Sequence, residues 1–280
     1  MAPRPKKLGA HGTAWIAIGM AWCAGFVDAA CYLQLQRVYT SHMTGNTASL
    51  ASRFLQGDWH EAARYGWAIL CFLFGLLLGA CLTHAERRNG IRSAFAAVLF
   101  LESVLLAAFI WFGRSTAAPV ALLIFLPCAA MGMQTVTVTR VGSLRVYTTY
   151  LTGTLSKFAE AVAQYAFWLW DRTRGRFRTR IGKVLCVTLR YEPAQHAVLT
   201  AGLWFAFFAG AVLGARGDIQ WGSIALVVPV GLLAITIVID LRFPIALGEV
   251  TEDELRRKRR FSRRRRSVRH SPPPGVQRAH

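Results

Sequence analysis

Three polar side chains stand where apolar residues would be expected. Glu102 is almost central in a run from Ser93 to Gly113, Asp28 sits in the outer half of a run from Thr13 to Gln34, and Gln134, with Thr135, follows Pro127 and Gly132 in a third. An ionisable group at the centre of a membrane helix costs roughly 2.5–3.5 kcal/mol on insertion scales, so such groups face the bundle interior, often on a solute or proton pathway. Glu102 reads either as a neutral carboxylic acid hydrogen-bonded to a neighbouring helix or as a site that couples to a proton or cation. Asp28 reads either as part of a pathway or as the group that holds the next segment in place. Two Thr-Gly pairs complete the set: Thr44, Gly45 and Asn46 in MTGNTASL, and Thr152 and Gly153 in LTGTLSKF. Each pair precedes a helical pattern, where a Thr or Asn side chain can cap exposed N–H groups and a Gly lets the backbone turn or approach a ligand. If these helices lie at the interface, the pairs are turns and caps, which is the expected form. If they re-enter the membrane, two positive helix ends approach an anionic group from opposite faces.

Nothing else in the sequence announces chemistry. HExxH, GxSxG and GxxxxGK[ST] are absent, the seven His residues show no ligand spacing, and the six Cys residues lack a CxxC pair. We therefore expect no metal, no cofactor and no enzyme, with the cysteines serving as small packing residues.

The elements that must position these groups are legible in the composition. Of 280 residues 54% are hydrophobic and 17% charged, and Lys and Arg number 33 against 14 acidic residues. An ordinary soluble enzyme does not have this balance, and a disordered chain carries far less apolar surface. Runs of about 20 apolar residues are what a hydrocarbon core of roughly 30 Å requires. Six such spans are expected: Thr13–Gln34, Tyr65–Thr83, Ser93–Gly113, Ala117–Thr139, Ala197–Ala215 and Ile219–Ile239. The first follows Arg4, Lys6 and Lys7 but is too long for a signal peptide and contains Asp28, so it reads as a retained helix. With both termini cytoplasmic, 28 basic residues fall inside and five outside, namely Arg37, Arg53, Arg64, Arg114 and Arg216.

A repeat organises the spans. RVYTSHMTG at 37–45 and RVYTTYLTG at 145–153 match at an offset of 108 residues, and Gly75, Gly79 and Ala80 match Gly210, Gly214 and Ala215 at an offset of 135. Each half then holds three spans, so the second copy must enter the membrane from the opposite side, as in many secondary transporters. The expected fold is an all-α membrane protein of six helices in an inverted three-plus-three repeat, with short amphipathic helices after the TG pairs. Repeat 1 covers about 13–113, repeat 2 about 117–239, a basic cytoplasmic loop about 171–192, and 1–12 form a basic cytoplasmic N-terminus. Gly75–Gly79 and Gly210–Gly214 are GxxxG pairs, expected to pack repeat-related helices within one chain, although six spans also leave a homodimer open.

The segment AGFVDAACYLQLQRVYTSHMTGNTASLA resembles the YoaK-like bacterial membrane proteins, a family built on a domain of unknown function. The resemblance covers roughly residues 14 to 243 and is most specific at GFVDA and MTGN. It implies a six-span integral membrane protein and brings no activity or substrate with it.

Beyond it, residues 244–280 form a basic tail, expected to be disordered and cytoplasmic. Its Arg256, Arg257, Lys258, Arg259, Arg260, Arg263, Arg264, Arg265 and Arg266 are expected to meet anionic headgroups of the inner leaflet, at about 1 kcal/mol each close to the surface. Specific nucleic-acid binding is not expected, since Phe261 is the tail's one aromatic residue. Together these features point to an inner-membrane transporter or permease for a small solute, with Asp28, Glu102, Gln134 and the TG segments on its pathway. A non-transporting scaffold or lipid-interacting protein is the alternative.

Overall fold

A computed structural model describes residues 10–89, 93–137, 139–141, 144–146, 149, 151–173 and 192–243. The basic tail and its headgroup contacts, the N-terminal basic residues and most of the basic loop lie outside the described residues. Along the chain run α1 (Ala10–Gln34), α2 (Met43–Leu55), α3 (Trp59–Asn89), α4 (Ala94–Phe112), α5 (Val120–Val136), a hairpin of β1 (Thr139–Val141) and β2 (Leu144–Val146), α6 (Leu151–Thr173), α7 (Glu192–Trp221), a 3-10 turn (Gly222–Leu226) and α8 (Val227–Arg242).

Local chemistry sets several boundaries. Ser93 caps α4 by accepting from the Ala96 amide at 3.1 Å, and Asp58 accepts from the Glu61 amide at 3.3 Å at the start of α3. At its C-terminus α1 is closed by Gln36 and Arg37, both in the left-handed region at φ 53° and 73°. Non-glycine residues hold such angles only where other contacts impose them. Arg64 supplies those contacts: its guanidinium donates to the Leu35 carbonyl at 2.9 Å and to Gln36 Oε1 at 2.7 Å, placing a cation at the negative end of α1.

Four stretches are long and apolar enough to cross a membrane, 11–34, 59–85, 94–112 and 193–242, and Val120–Val136 is a shorter apolar helix. The fourth stretch folds back on itself. Along α1, Ile18, Trp22 and Phe26 meet Gly202, Gly210 and Gly214 of α7 in ascending order, whereas Gly19 and Cys23 meet Leu232 and Pro229 of α8 in descending order. So α7 runs parallel to α1 and α8 antiparallel, with the reversal at Gly222, whose φ of +56° suits glycine. The expected break at 216–218 is thus displaced. The helix continues through it because Gly217 lets the Phe26 ring and Ala225 approach and Gln34 donates to Asp218 from α1. The expected fourth span is also shorter than read, 17 residues against Ala117–Thr139. The helix is capped at Thr137, and the β-hairpin that follows from Thr139 was not announced by the apolar pattern.

Helix contacts come in two matching sets. A Cβ on Gly75 would lie 2.1 Å from the Ala129 carbonyl oxygen, and one on Gly210 would lie 2.0 Å from that of Trp22. One on Gly132 would lie 2.2 Å from the Phe72 carbonyl oxygen, and one on Gly25 would lie 2.1 Å from that of Phe207. The GxxxG helices α3 and α7 therefore do not pack on each other, as the sequence suggested. Each packs on the first helix of the other half, α3 on α5 and α7 on α1, because those helices carry the complementary Gly132 and Gly25.

The core gathers Phe95, Leu99 and Phe109 of α4 with Ile124 and Met131 of α5 and Leu233 of α8. Outward faces are apolar as well: Leu70, Leu77, Phe205, Val212, Ile235 and Val238 are each about half exposed or more. Apolar faces this continuous need lipid rather than water beside them.

Candidate functional site

The residue that organises the polar interior is Asp28. From α1 its Oδ1 accepts from the Thr40 amide at 3.0 Å, the Thr40 hydroxyl at 2.7 Å and the Ser41 amide at 3.0 Å, while Oδ2 lies 3.1 Å from His42 Nδ1. These bonds fold the chain after α1 back against its own helix. Asn46, fully buried, holds the same segment from the other side: its Oδ1 accepts from the Tyr39 amide at 3.0 Å and its Nδ2 donates to the Tyr39 carbonyl at 2.7 Å. Tyr39 stacks on Tyr32 and on His42, and His42 on Phe207, so a short aromatic column runs from α1 to α7. Burial, and after it the hydrogen bond and charge of Tyr32, pushes the Tyr39 hydroxyl above its usual range.

The TG pairs do not cap as expected. They lie inside the first turns of α2 and α6, and the N-cap of α2 is His42, which makes no capping bond. Gly45 serves packing: a Cβ there would press on the Tyr39 ring at 3.2 Å. What the pairs do share is a cavity of about 370 Å³, lined by Tyr39, Ser41, His42, Met43, Thr44, Gly45, Phe72, Thr135, Thr149, Leu151 and Thr152. Segments that lie 108 residues apart in sequence thus meet across one space. On the α6 side the Thr135 and Thr149 hydroxyls share a hydrogen bond of 2.8 Å.

Not every expected pathway residue reaches this cavity. Asn46, Gly153 and Asp28 are not among its lining residues, although Asp28 contacts the lining residue His42. Glu102 and Gln134 are buried elsewhere, at 1% and 0% exposure. They are not hydrogen-bonded to each other either. Gln134 Nε2 donates to the Met20 carbonyl at 3.3 Å, while Gln134 Oε1 and Glu102 Oε2 have no partner among the described residues. Because the Glu102 oxygen gains no bond in return for losing water, Glu102→Leu should unfold at a higher denaturant concentration than the parent, by about 1 kcal/mol. Equilibrium unfolding in mixed micelles checks this, and destabilisation beyond about 1 kcal/mol would mean that the carboxyl has a hidden partner.

Three groups escaped the sequence reading. Arg64, one of the five outer basic residues, is 9% exposed and binds Glu61 at 2.6 Å. Asp240, fully buried and hydrogen-bonded by Ser93, lay one residue beyond the expected sixth span. His42 carried no ligand spacing, and its place next to TG was its one available signal. Among the described residues no group of three or more His, Cys, Asp or Glu is arranged to hold a metal.

Residues 16–239 match the family described as "Protein of unknown function (DUF1275)", and the chain belongs to that family. It is also 30% identical over 145 residues to the UPF0700 transmembrane protein YoaK of Bacillus subtilis (strain 168), a match covering 51% of this chain and 64% of that relative. No solved structure matches the chain. The protein is a multipass membrane protein of an uncharacterised family, seated in a lipid bilayer.

Proposed function

We propose that this protein is a small-solute permease of the bacterial inner membrane, whose pathway passes through the cavity between the two TG segments. The observation that carries the reading is the convergence of Thr44 and Gly45 with Thr152 on one cavity, from the first turns of two helices on opposite halves of the chain. The supporting architecture is the inverted three-plus-three repeat. In its favour, Trp22, Gly25, Phe72 and Gly75 make the same contacts as Ala129, Gly132, Phe207 and Gly210, at constant offsets of 107 and 135 residues. A pathway at the junction of two such halves is opened from either side when one half rocks against the other.

Uptake into proteoliposomes, screened over small metabolites with and without a proton gradient, tests the reading directly. A solute that accumulates only in protein-containing vesicles is the expected result. If nothing moves and no solute alters the protein's stability, the scaffold alternative takes its place.

Orientation follows the basic residues, with both termini cytoplasmic. Reporters fused at Gly57, Ser115 and Gly222 should read outside, and those at Asn89 and the C-terminus inside. An odd number of crossings between Asn89 and the C-terminus would break the inverted arrangement.

A further inference from the structure

Resting on the permease reading of this cavity, we propose that it takes a small carboxylate together with one proton, and that His42 is the residue that binds both.

Asp28 Oδ1 already receives three donors, and its Oδ2 faces His42 Nδ1 at 3.1 Å. With Nδ1 donating to this carboxylate, Nε2 carries the lone pair of the neutral ring. The His42 ring is held between Tyr39 and Phe207, with centroids 5.4 and 5.9 Å away. The remaining polar atom of His42, a residue that lines the cavity, is Nε2. When neutral, Nε2 offers a lone pair, which repels a carboxylate. When protonated, it donates a charge-assisted hydrogen bond, and Asp28 balances the added charge from behind.

Among the described residues the surroundings leave this role to His42, since the part of the cavity wall that they form holds no Lys, Arg, Asp or Glu. Facing the imidazole are Asp28 from α1, Tyr32 of α1 through the Tyr39 ring, the Ser41 hydroxyl at 3.2 Å from Nδ1, and the apolar Phe207 from α7. In α2, Asn46 is committed to the Tyr39 backbone. Thr135, Thr149 and Thr152 line the same cavity. Thr44, Gly45 and Thr152 also lie in first helical turns, whose amides have no acceptor within the helix and whose dipoles favour negative charge. One titratable cation among neutral donors matches one negative charge. At roughly 30 Å³ per water, the cavity holds a solute of about ten heavy atoms. Binding breaks no covalent bond: the proton goes to Nε2 and the carboxylate to the resulting imidazolium, so each event adds no net charge.

The test uses the full-length protein in detergent, with sodium acetate and sodium lactate as probes and acetamide and lactamide as uncharged counterparts. The carboxylates should raise the unfolding temperature at about pH 5.5 and bind about tenfold more weakly at about pH 8, where an ordinary His is neutral. Calorimetry in buffers of different ionisation enthalpy should register net proton uptake on anion binding that is larger at about pH 8 than at about pH 5.5. His42→Gln, which keeps a donor towards Asp28, should stay folded and lose the pH dependence. Equal carboxylate affinity at both pH values, or a pH dependence that survives His42→Gln, overturns the proposal. Amide binding without carboxylate binding overturns the substrate class and leaves the permease standing, whereas binding of no probe and transport of no solute ends both.

Discussion

Gly210→Val should leave little folded protein to extract from the membrane. A Cβ at this position would sit 2.0 Å from the Trp22 carbonyl oxygen and 3.1 Å from the Phe26 amide, and both are backbone atoms of α1. No rotamer change relieves that clash. The two helices must separate along the seam that joins the halves, and every contact below them loosens. Overpacking relieved by side chains typically costs 1–3 kcal/mol, so a clash that only helix movement can relieve should exceed about 3 kcal/mol. Gly75→Val should match it, since its Cβ would meet the Ala129 carbonyl oxygen at 2.1 Å. Gly231→Ala is the control: nothing lies within 4 Å of its Cβ, so exchanging glycine within α8 should stabilise by about 0.5–1 kcal/mol. Denaturant titration of the three variants, read by tryptophan fluorescence, orders them. Wild-type stability in Gly210→Val would mean that α1 and α7 do not pack through this glycine.

These glycines also show what a sequence conveys and what it withholds. The apolar run from Ser93 to Gly113 bounds α4 to within a residue, and α1 ends at Gln34 as expected, because the length of an apolar run is a local property. That GxxxG brings backbones together is local as well. Which helix lies opposite is not, since it depended on Gly25 and Gly132, neither of which belongs to a GxxxG pair. The end of α7 was misplaced for a similar reason. Arg216, Gly217 and Asp218 look like a turn, but Gln34 from a helix 184 residues away satisfies Asp218 and lets the helix run on. The candidate site divides along the same line. Asp28 and the TG pairs stood out because polar groups beside apolar runs are conspicuous. The convergence of both TG pairs on one cavity, with Glu102 and Gln134 elsewhere, depends on how α2 and α6 are folded inwards, and that is decided by long-range contacts.

Asp28→Ala should be the most damaging change among the polar residues. It removes the acceptor for two main-chain amides, one hydroxyl and the His42 imidazole at once, in a place where Asp28 is 5% exposed. Leaving buried donors unpaired costs about 1–3 kcal/mol for each group that water cannot reach. Segment 39–42 can move to recover part of this, so the net loss should be about 3–5 kcal/mol, as when one partner of a buried ion pair is deleted. The damage should be local first. Tyr39 would leave its stack on Tyr32, and α2 would lose the anchor that brings Thr44 and Gly45 to the cavity. Asp28→Asn separates the scaffold role from the charge. Its side-chain oxygen can still accept from Thr40 and Ser41, while its amide donates to His42 Nδ1 and shifts the ring hydrogen to Nε2. That variant should keep its fold with a smaller loss, about 1–2 kcal/mol, and should lose proton-linked binding in the cavity, because no carboxylate remains to balance an imidazolium. Hydrogen exchange of the Thr40 and Ser41 amides reports the first effect and pH-dependent binding the second. An Asp28→Ala protein with parental stability and unchanged protection at Thr40 would show that another acceptor holds the segment, and that the cavity wall keeps its shape without the carboxylate behind it.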